Sequence, residues 1–323
     1  MVTVQPQGHS LDDALRAAEQ RLGEAGVPSP RADAELLAAH VLGLTRGQLA
    51  LRRATGSRAE TALDDQASSV LAELIDERCR RTPVQHLTGR APFRQLELRV
   101  GPGVFIPRPE TEQVAEVAIR HIQQLEGEAS ERRAPRVIDL GTGSGALAAS
   151  IASECPGAEV HAVELSEQAL AWARTNLEEH GVHLHQADLV ALPAAWDGGF
   201  DVVVSNPPYI PESMVPREQE VRDHDPALAL YGGDETGLKI PYQVIAAAQR
   251  LLRPGGWFIM EHAEVQAAAL VEHCRNAGRL TDVRTHQDLS GRDRALSGFL
   301  PSDPRADREP SAEEPLSVGE WRS

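Results

Sequence analysis

Between residues 136 and 299 the sequence alternates short apolar runs with amphipathic segments, and this alternation constrains the fold more than any other feature. Short apolar runs predict buried strands, whereas apolar residues spaced three and four apart predict helices. Strands that alternate with helices form a mostly parallel sheet with helices on both faces. The predicted strands are Arg136–Leu140, Glu159–Glu164, Val182–Gln186, Asp201–Ser205, Trp257–Glu261, Asp282–His286 and Arg294–Phe299. The predicted helices are Ala146–Ser153, Glu167–His180, Ile240–Leu252 and Val265–Ala277.

The residues before this alternation follow a helical period. Leucines and alanines recur at helical spacing from Leu11 to Arg81, and Pro28 and Pro30 end the first predicted helix. Apolar residues between Phe93 and Val100 predict a hairpin of short strands. The last residues are rich in proline, serine and acidic side chains, which is typical of disorder. The sequence therefore predicts a helical bundle at 1–84, a β-hairpin linker at 85–106, an α/β domain at 107–300 and a disordered tail at 301–323.

Charge limits the partners of the chain. The formal net charge is −16, which repels a polyanion over most of the surface, so direct DNA binding is not expected. Arg52–Arg53 and Arg78–Arg81 are basic clusters in the helical region. We interpret them as solvated faces, with contact to a partner as the alternative.

The chain carries no sign of a membrane span or of export. No apolar run reaches the roughly 20 residues that a span requires, and Met1–Ser10 lacks the layout of a signal peptide. The three cysteines, Cys79, Cys155 and Cys274, show no C-x-x-C spacing, so neither a disulfide framework nor a zinc site is indicated. A cytoplasmic protein without membrane contact is expected.

Two histidines require a separate interpretation. His183 and His185 are two residues apart on a predicted strand, so they lie on the same face of it, and His180 lies just before the strand. In the sequence, no carboxylate or cysteine completes a ligand set beside them, so we expect no metal.

A glycine-rich turn follows the first predicted strand of the sheet. Gly141–Gly145 reads Gly-Thr-Gly-Ser-Gly, and such a turn lets the backbone approach a ligand at a helix N-terminus. The spacing lacks the third glycine of the dinucleotide fingerprint, and Asp139 before the turn suits a cationic ligand better than a pyrophosphate. By itself the turn leaves a nicotinamide-dependent oxidoreductase open.

Acidic residues follow the next two predicted strands. Glu164 ends the second strand and can accept hydrogen bonds from both hydroxyls of a ribose, whereas Asp188 follows the third and can accept from an adenine amino group. Gly141, Glu164, Asp188 and Asn206 all lie at carboxyl ends of predicted strands, where open α/β sheets bind ligands. The sequence therefore predicts a nucleoside site at this edge.

The most specific motif is Asn206-Pro207-Pro208-Tyr209, directly after an apolar strand. Asn206 precedes a proline and is therefore confined to an extended conformation. Prolines lack an N–H, so the turn presents acceptors without competing donors. A planar NH₂ group can donate one hydrogen bond to the side-chain oxygen of Asn206 and one to the carbonyl of Pro207, while the ring of Tyr209 packs on the substrate.

This arrangement suits methylation of an amide nitrogen. The amide shares its lone pair with the carbonyl and is a poor nucleophile towards a sulfonium methyl group. Two acceptors that hold both hydrogens favour a pyramidal nitrogen and aim the lone pair at the methyl group, and such alignment can supply several kcal/mol. The pattern therefore points to an S-adenosylmethionine-dependent methyltransferase without a strong general base.

From Leu11 to Leu300 the chain resembles the protein-(glutamine-N5) methyltransferases of class-1 peptide chain release factors. The resemblance lies in Phe105–Glu112, Ile138–Gly145, Ser205–Ile210, Ala227-Leu228 with Gly232-Gly233 and Gly237-Leu238, and Asp288–Arg294. It implies a seven-stranded Rossmann-like methyltransferase sheet at 107–300 and a substrate-recognition role for the helical bundle at 1–84.

By resemblance, specific residues receive roles. Asn206–Tyr209 would hold the glutamine of the Gly-Gly-Gln motif. S-adenosylmethionine would be bound by Gly141, Thr142, Gly143, Ser144, Gly145, Glu164, Asp188, Leu189 and Asn206. The sequence departs from the family at Leu189, where relatives often carry an aromatic residue, and at His262-Ala263, where they often carry glycine.

Other functions stay open. Adenine and cytosine amino-methyltransferases use a similar Asn/Asp-Pro-Pro-Tyr turn, because their target is also a planar NH₂, but they require base flipping and a basic cleft. A cofactor-binding adaptor of release factors without catalysis is the non-enzymatic alternative.

Overall fold

The computed structural model describes residues 9–56, 62–128, 133–276 and 279–302. The predicted tail at 301–323 therefore lies outside the described residues, except for Pro301 and Ser302. In the described segments no helix has the length and hydropathy that a membrane span requires.

The first region is a helical domain. Its core contains Leu11, Leu22, Leu37 and Leu49, all at most 1% exposed. Its elements are β1 (His9–Ser10), α1 (Leu11–Glu24), α2 (Pro30–Val41), α3 (Arg46–Thr55), β2 (Ala62–Leu63), α4 (Asp65–Cys79) and α5 (Val84–Thr88).

Helix α3 is absent from the sequence prediction. It buries a single residue, Leu49, so it leaves almost no apolar period. Its start is instead marked by a reciprocal cap, in which Gln48 N donates to Thr45 Oγ1 at 3.1 Å and Thr45 N donates to Gln48 Oε1 at 2.9 Å.

A hairpin follows, formed by β3 (Arg90–Phe93) and β4 (Leu96–Arg99) in antiparallel register. Helix α5 occupies the first residues of the predicted linker and packs on α2 and α4, so the hairpin itself begins at Arg90.

All the predicted strands of the sheet are present. The order is β10-β11-β9-β8-β5-β6-β7, with β6, β7, β8 and β9 parallel to β5, and β11 antiparallel to both of its neighbours. The elements are α6 (Thr111–Glu128), β5 (Arg136–Leu140), α7 (Ala146–Glu154), β6 (Glu159–Glu164), α8 (Glu167–Leu177), β7 (His183–Gln186), β8 (Phe200–Ser205), α9 (Gln219–His224), α10 (Ala227–Leu230), α11 (Lys239–Leu251), β9 (Leu252–Glu261), α12 (Ala267–Asn276), β10 (Thr281–Gln287) and β11 (Asp293–Phe299). The seven-stranded α/β fold class is confirmed.

Successive side chains of the central strands point to opposite faces. Val137 and Val202 join one core with α6 and α7, whereas Ile138 and Val203 join the other with α11 and α12. Burial on both faces explains why these strands are continuous apolar runs in the sequence. The parallel arrangement also brings the carboxyl ends of β5, β6, β8 and β9 to one edge of the sheet.

Candidate active site

A cavity of about 670 Å³ lies at this edge of the sheet. Open α/β sheets bind ligands at this position. The predicted site residues that line it are Gly141, Thr142, Gly143, Ser144, Glu164, Asp188, Leu189, Asn206, Pro207, Pro208 and Tyr209.

The glycine turn is tied to β6 by backbone hydrogen bonds. Gly141 N and Thr142 N both donate to Val163 O at 2.9 Å. Gly141 and Gly143 have φ of +73° and +59°, and a Cβ at either position would meet nothing within 4 Å. The turn therefore combines a backbone conformation that favours glycine with open space beside it for a ligand.

Gly145 has a different environment from the other predicted glycines. It is the N-cap of α7 with φ of +87°, and a Cβ there would lie 3.0 Å from Leu177 Cγ on α8. Within the described residues it lies outside the cavity lining. Its observed contact therefore concerns helix packing.

Glu164 is 8% exposed and is held by the backbone on both sides. Its Oε2 accepts from Gly143 N and its Oε1 from Ser166 N, each at 2.8 Å. A carboxylate oxygen has two lone pairs, so each oxygen retains capacity for one further donor from the cavity.

Asp139 lies beneath the turn and is 1% exposed. Burial raises its pKa to about 7, although the hydroxyl of Thr142, 2.6 Å from Oδ2, and the N–H of Ala148 oppose this shift. Asp139 therefore supports the turn and the start of α7 as well as facing the cavity.

Asp188 and Leu189 follow β7. Asp188 Oδ1 accepts from Val190 N at 3.1 Å, which caps a short 3-10 helix at Leu189–Ala191. The side chain of Val190 is 58% exposed beside the cavity. This wall combines one carboxylate with two aliphatic side chains.

Asn206 at the end of β8 is oriented by its side-chain nitrogen. Its Nδ2 donates to Thr111 Oγ1 at 3.0 Å, and the hydroxyl of Thr111 donates to Glu261 Oε2 at 2.7 Å. Because the nitrogen is engaged, the oxygen is the end of the amide that remains available to accept from a ligand.

Glu261 joins Asn206 to Tyr209. It is 2% exposed at the end of β9, and its Oε1 accepts from the hydroxyl of Tyr209 at 3.1 Å. Burial raises the pKa of Glu261 to about 7, although hydrogen bonds from Thr111 and Tyr209 oppose the shift. Burial and the neighbouring Glu261 also raise the pKa of Tyr209 above its usual range.

Sequence reasoning missed Thr111 and Glu261 as functional residues. Thr111 lies within the Phe105–Glu112 motif, and Glu261 ends a predicted strand at the same edge as Glu164. The motif and the strand end are both visible in the sequence, but neither shows that Thr111 and Glu261 contact Asn206 and Tyr209.

The Asn206–Tyr209 corner is braced from behind. Gln266 Nε2 donates to Tyr209 O at 2.8 Å and to Thr236 O at 3.1 Å, and Ile210 N donates to Leu230 O at 2.8 Å. Gly237 has φ of +70°, and a Cβ there would lie 2.2 Å from Tyr209 O. The corner is therefore fixed by segments far along the chain.

The helical domain contacts the wall of the cavity through an ion cluster. Arg78 is 4% exposed and donates to Asp33 Oδ2 and to Glu220 Oε1 on α9, both at 2.8 Å, and Arg81 donates to Glu220 Oε2 at 2.6 Å. Burial alone would raise the pKa of Glu220, but the two arginines lower it to about 2. The interpretation of Arg78–Arg81 as a solvated face was therefore wrong for Arg78 and Arg81.

Two family models match the chain. The PrmC N-terminal domain matches residues 13–89, and the methyltransferase small domain matches residues 96–218. These matches cover the helical domain and the first half of the sheet.

Curated relatives match almost the whole chain, and the three described here are each named release factor glutamine methyltransferase. The Streptomyces coelicolor protein is 46% identical, with 86% of this chain and 93% of the relative covered. The Mycolicibacterium smegmatis protein is 45% identical, with 89% and 96% covered, and the Bifidobacterium longum protein is 41% identical, with 88% and 98% covered. Identity at this level over nearly the full length of both sequences shows that the chain belongs to the release factor glutamine methyltransferase family.

Proposed function

We propose that this protein transfers a methyl group from S-adenosylmethionine to the side-chain amide nitrogen (N5) of the glutamine in the Gly-Gly-Gln motif of class-1 peptide chain release factors. The observation that carries the proposal is the orientation of Asn206, whose nitrogen is held by Thr111 so that its oxygen is available to the cavity.

The residues around the glycine turn fit S-adenosylmethionine. Glu164 has acceptor capacity for the two ribose hydroxyls, and Asp188, which lines the cavity beside Leu189, would accept from the adenine amino group. The open space at Gly141 and Gly143 would allow the ligand to approach the protein backbone closely, with Thr142 and Ser144 completing the turn. Gly145 contributes by its lack of a side chain, which lets the start of α7 pack close to Leu177 of α8.

The Asn206–Tyr209 corner would bind the glutamine side chain. The oxygen of Asn206 and the carbonyl of Pro207 accept the two amide hydrogens, and the rings of Pro208 and Tyr209 pack on the carboxamide. Glu261 accepts a hydrogen bond from the hydroxyl of Tyr209 and so holds that ring. It also accepts from the hydroxyl of Thr111, which in turn orients Asn206.

The methyl-transfer step forms one bond and breaks one bond. When bound, S-adenosylmethionine supplies an electrophilic methyl group on a sulfonium sulfur. Asn206 and Pro207 would aim the amide lone pair at that methyl group, so that the N–C bond would form as the C–S bond breaks and the methylated nitrogen would release its proton to water. Preorganised acceptors are effective here because they need no reorganisation during reaction.

A mass measurement tests the proposal. Purified release factor is incubated with this protein and S-adenosylmethionine, and the tryptic Gly-Gly-Gln peptide should gain one methyl group on glutamine. A release factor with that glutamine replaced by alanine should gain none. In a second reaction, S-adenosylmethionine with a labelled methyl group is added to a mixture of release factor and double-stranded DNA. Transfer of the label to the DNA and not to the release factor would contradict the proposal and favour a base amino-methyltransferase. Cofactor binding without transfer to either substrate would favour the adaptor.

A further inference from the structure

Four polar side chains converge at the amino ends of β6 and β7, away from the cavity. Glu159 and His161 are two residues apart on β6 and therefore share a face. His183 on β7 is the register partner of His161. In the part of the chain that the structure describes, these residues and His185 lie outside the cavity lining.

The donor set is one that binds transition metals. A carboxylate oxygen of Glu159 and ring nitrogens of His161 and His183 all lie within 4.8 Å of one another. The Nε2 of His161 is 2.8 Å from Glu159 Oε1, a position where a metal can replace the shared proton. Imidazole nitrogens and carboxylate oxygens are usual zinc ligands, and small side-chain movements would bring these atoms to bonding distance.

His185 supplies the supporting contact that a metal-bound histidine usually has. The Nδ1 of His161 lies 3.2 Å from the Nε2 of His185. A metal-ligating histidine commonly uses its second nitrogen in such a hydrogen bond, which fixes its orientation. His185 is itself packed against Trp196, with ring centroids 4.7 Å apart.

Arg136 competes with a cation at this position. It donates to Glu159 Oε1 at 3.1 Å, and its Nη2 is 3.3 Å from the Nε2 of His161. It also donates to Gly199 O at 3.1 Å and lies 4.8 Å from the centre of the Phe200 ring. Metal binding would remove the contacts of Arg136 with Glu159 and His161 and would leave those with Gly199 and Phe200. The affinity of the site for the metal should therefore be moderate.

We propose that Glu159, His161 and His183 bind a divalent transition-metal ion of the zinc class, with His185 orienting His161. The ion would link the edge strand β7 to β6. Its site lies towards the amino end of β6, whereas Glu164 lies at the carboxyl end of the same strand. The sequence suggested no metal because a carboxylate was missing beside His183 and His185. The register of β6 and β7 supplies one.

Zinc chloride titrated calorimetrically into the untagged full-length protein tests the site. We expect one ion per chain and a higher unfolding temperature with zinc. His183→Ala removes an exposed ligand and should weaken zinc binding by at least about tenfold. Glu159→Gln should also weaken it. His180→Ala, which replaces a nearby histidine outside the cluster, should bind zinc as the unmodified protein does.

The test does not require a variant of the buried His161, because His183 is exposed and can be replaced instead. Circular dichroism without zinc establishes that His183→Ala is folded. Equal zinc affinity in His183→Ala and the unmodified protein, or an equal loss in His180→Ala, would overturn the proposal. Absence of a zinc-dependent rise in unfolding temperature would exclude the link between β7 and β6.

Discussion

The two halves of the cavity are built in different ways. On the nucleoside side, the glycine turn and Glu164 belong to one stretch from Asp139 to Ser166, and the turn is held by hydrogen bonds within that stretch. The amide side is a short corner held by side chains from distant segments, since Thr111 lies 95 residues from Asn206 and Glu261 lies 52 residues from Tyr209. The contacts of the turn therefore join neighbouring elements of the chain, whereas those of the amide side depend on the packing of segments far apart in the sequence.

The largest expected effect separates the two halves directly. Asn206→Ala removes an acceptor on the amide side and should lower kcat by roughly 10²- to 10³-fold, because the loss of one preorganised polar group costs about this much. Binding of S-adenosylmethionine, measured calorimetrically, should change little. Asn276→Ala, an exposed asparagine on α12, is the control. Near-normal turnover of Asn206→Ala would refute the assigned role.

The reciprocal change is on the nucleoside side. Glu164→Gln should weaken S-adenosylmethionine binding by about tenfold to a hundredfold, because two charge-assisted hydrogen bonds are weakened. At saturating cofactor, kcat should be largely retained. Glu167→Gln replaces an exposed neighbour and should leave the affinity unchanged. A selective loss of kcat instead would contradict the division of roles.

Each half contains one buried carboxyl group with a pKa raised to about 7, namely Asp139 and Glu261. A carboxyl group with a raised pKa in the folded state stabilises the protein below its unfolded pKa, and this contribution is lost as pH rises through the folded pKa. The contribution of these two groups to the free energy of unfolding should therefore fall as pH rises from about 4.5 to about 7.

Urea unfolding of Glu261→Gln at several pH values isolates one of these groups. Relative to the unmodified protein, the variant should gain about 1 to 2 kcal/mol between pH 5 and pH 8, because its amide does not ionise. Asp139→Asn should show a similar gain, whereas Glu264→Gln, which replaces an exposed residue, should not. A parallel pH dependence in Glu261→Gln and the unmodified protein would show that Glu261 does not titrate in this range.

The smallest effect concerns the contact between Thr111 and Asn206. Thr111→Ala should lower kcat by about threefold to tenfold, as expected for the loss of a neutral hydrogen bond. Thr111→Ser keeps the hydroxyl and should restore kcat, which a role in packing alone would not predict. The KM for S-adenosylmethionine should stay constant in both variants. Failure of serine to restore turnover would remove Thr111 from the positioning network.

The strands and the residues on the cavity wall could be predicted because their signals are local. β5 and β8 contain short apolar runs, and the bounds of β5 and β6 agree with the prediction to the residue. The helices α9 and α10 were not predicted, because six and four residues are too few to show an amphipathic period. Residue roles in the cavity remain predictions until the variants are measured.

The sequence by itself determined the alternation of strands and helices, the glycine turn and the Asn206–Tyr209 corner, because hydrophobic period and backbone restriction act between near neighbours. Only the tertiary structure decided that Thr111 orients Asn206, that Arg78 and Arg81 pair with Glu220, and that Glu159 meets His183. These contacts depend on which faces of distant elements pack together and on strand register, and no period along the chain encodes either.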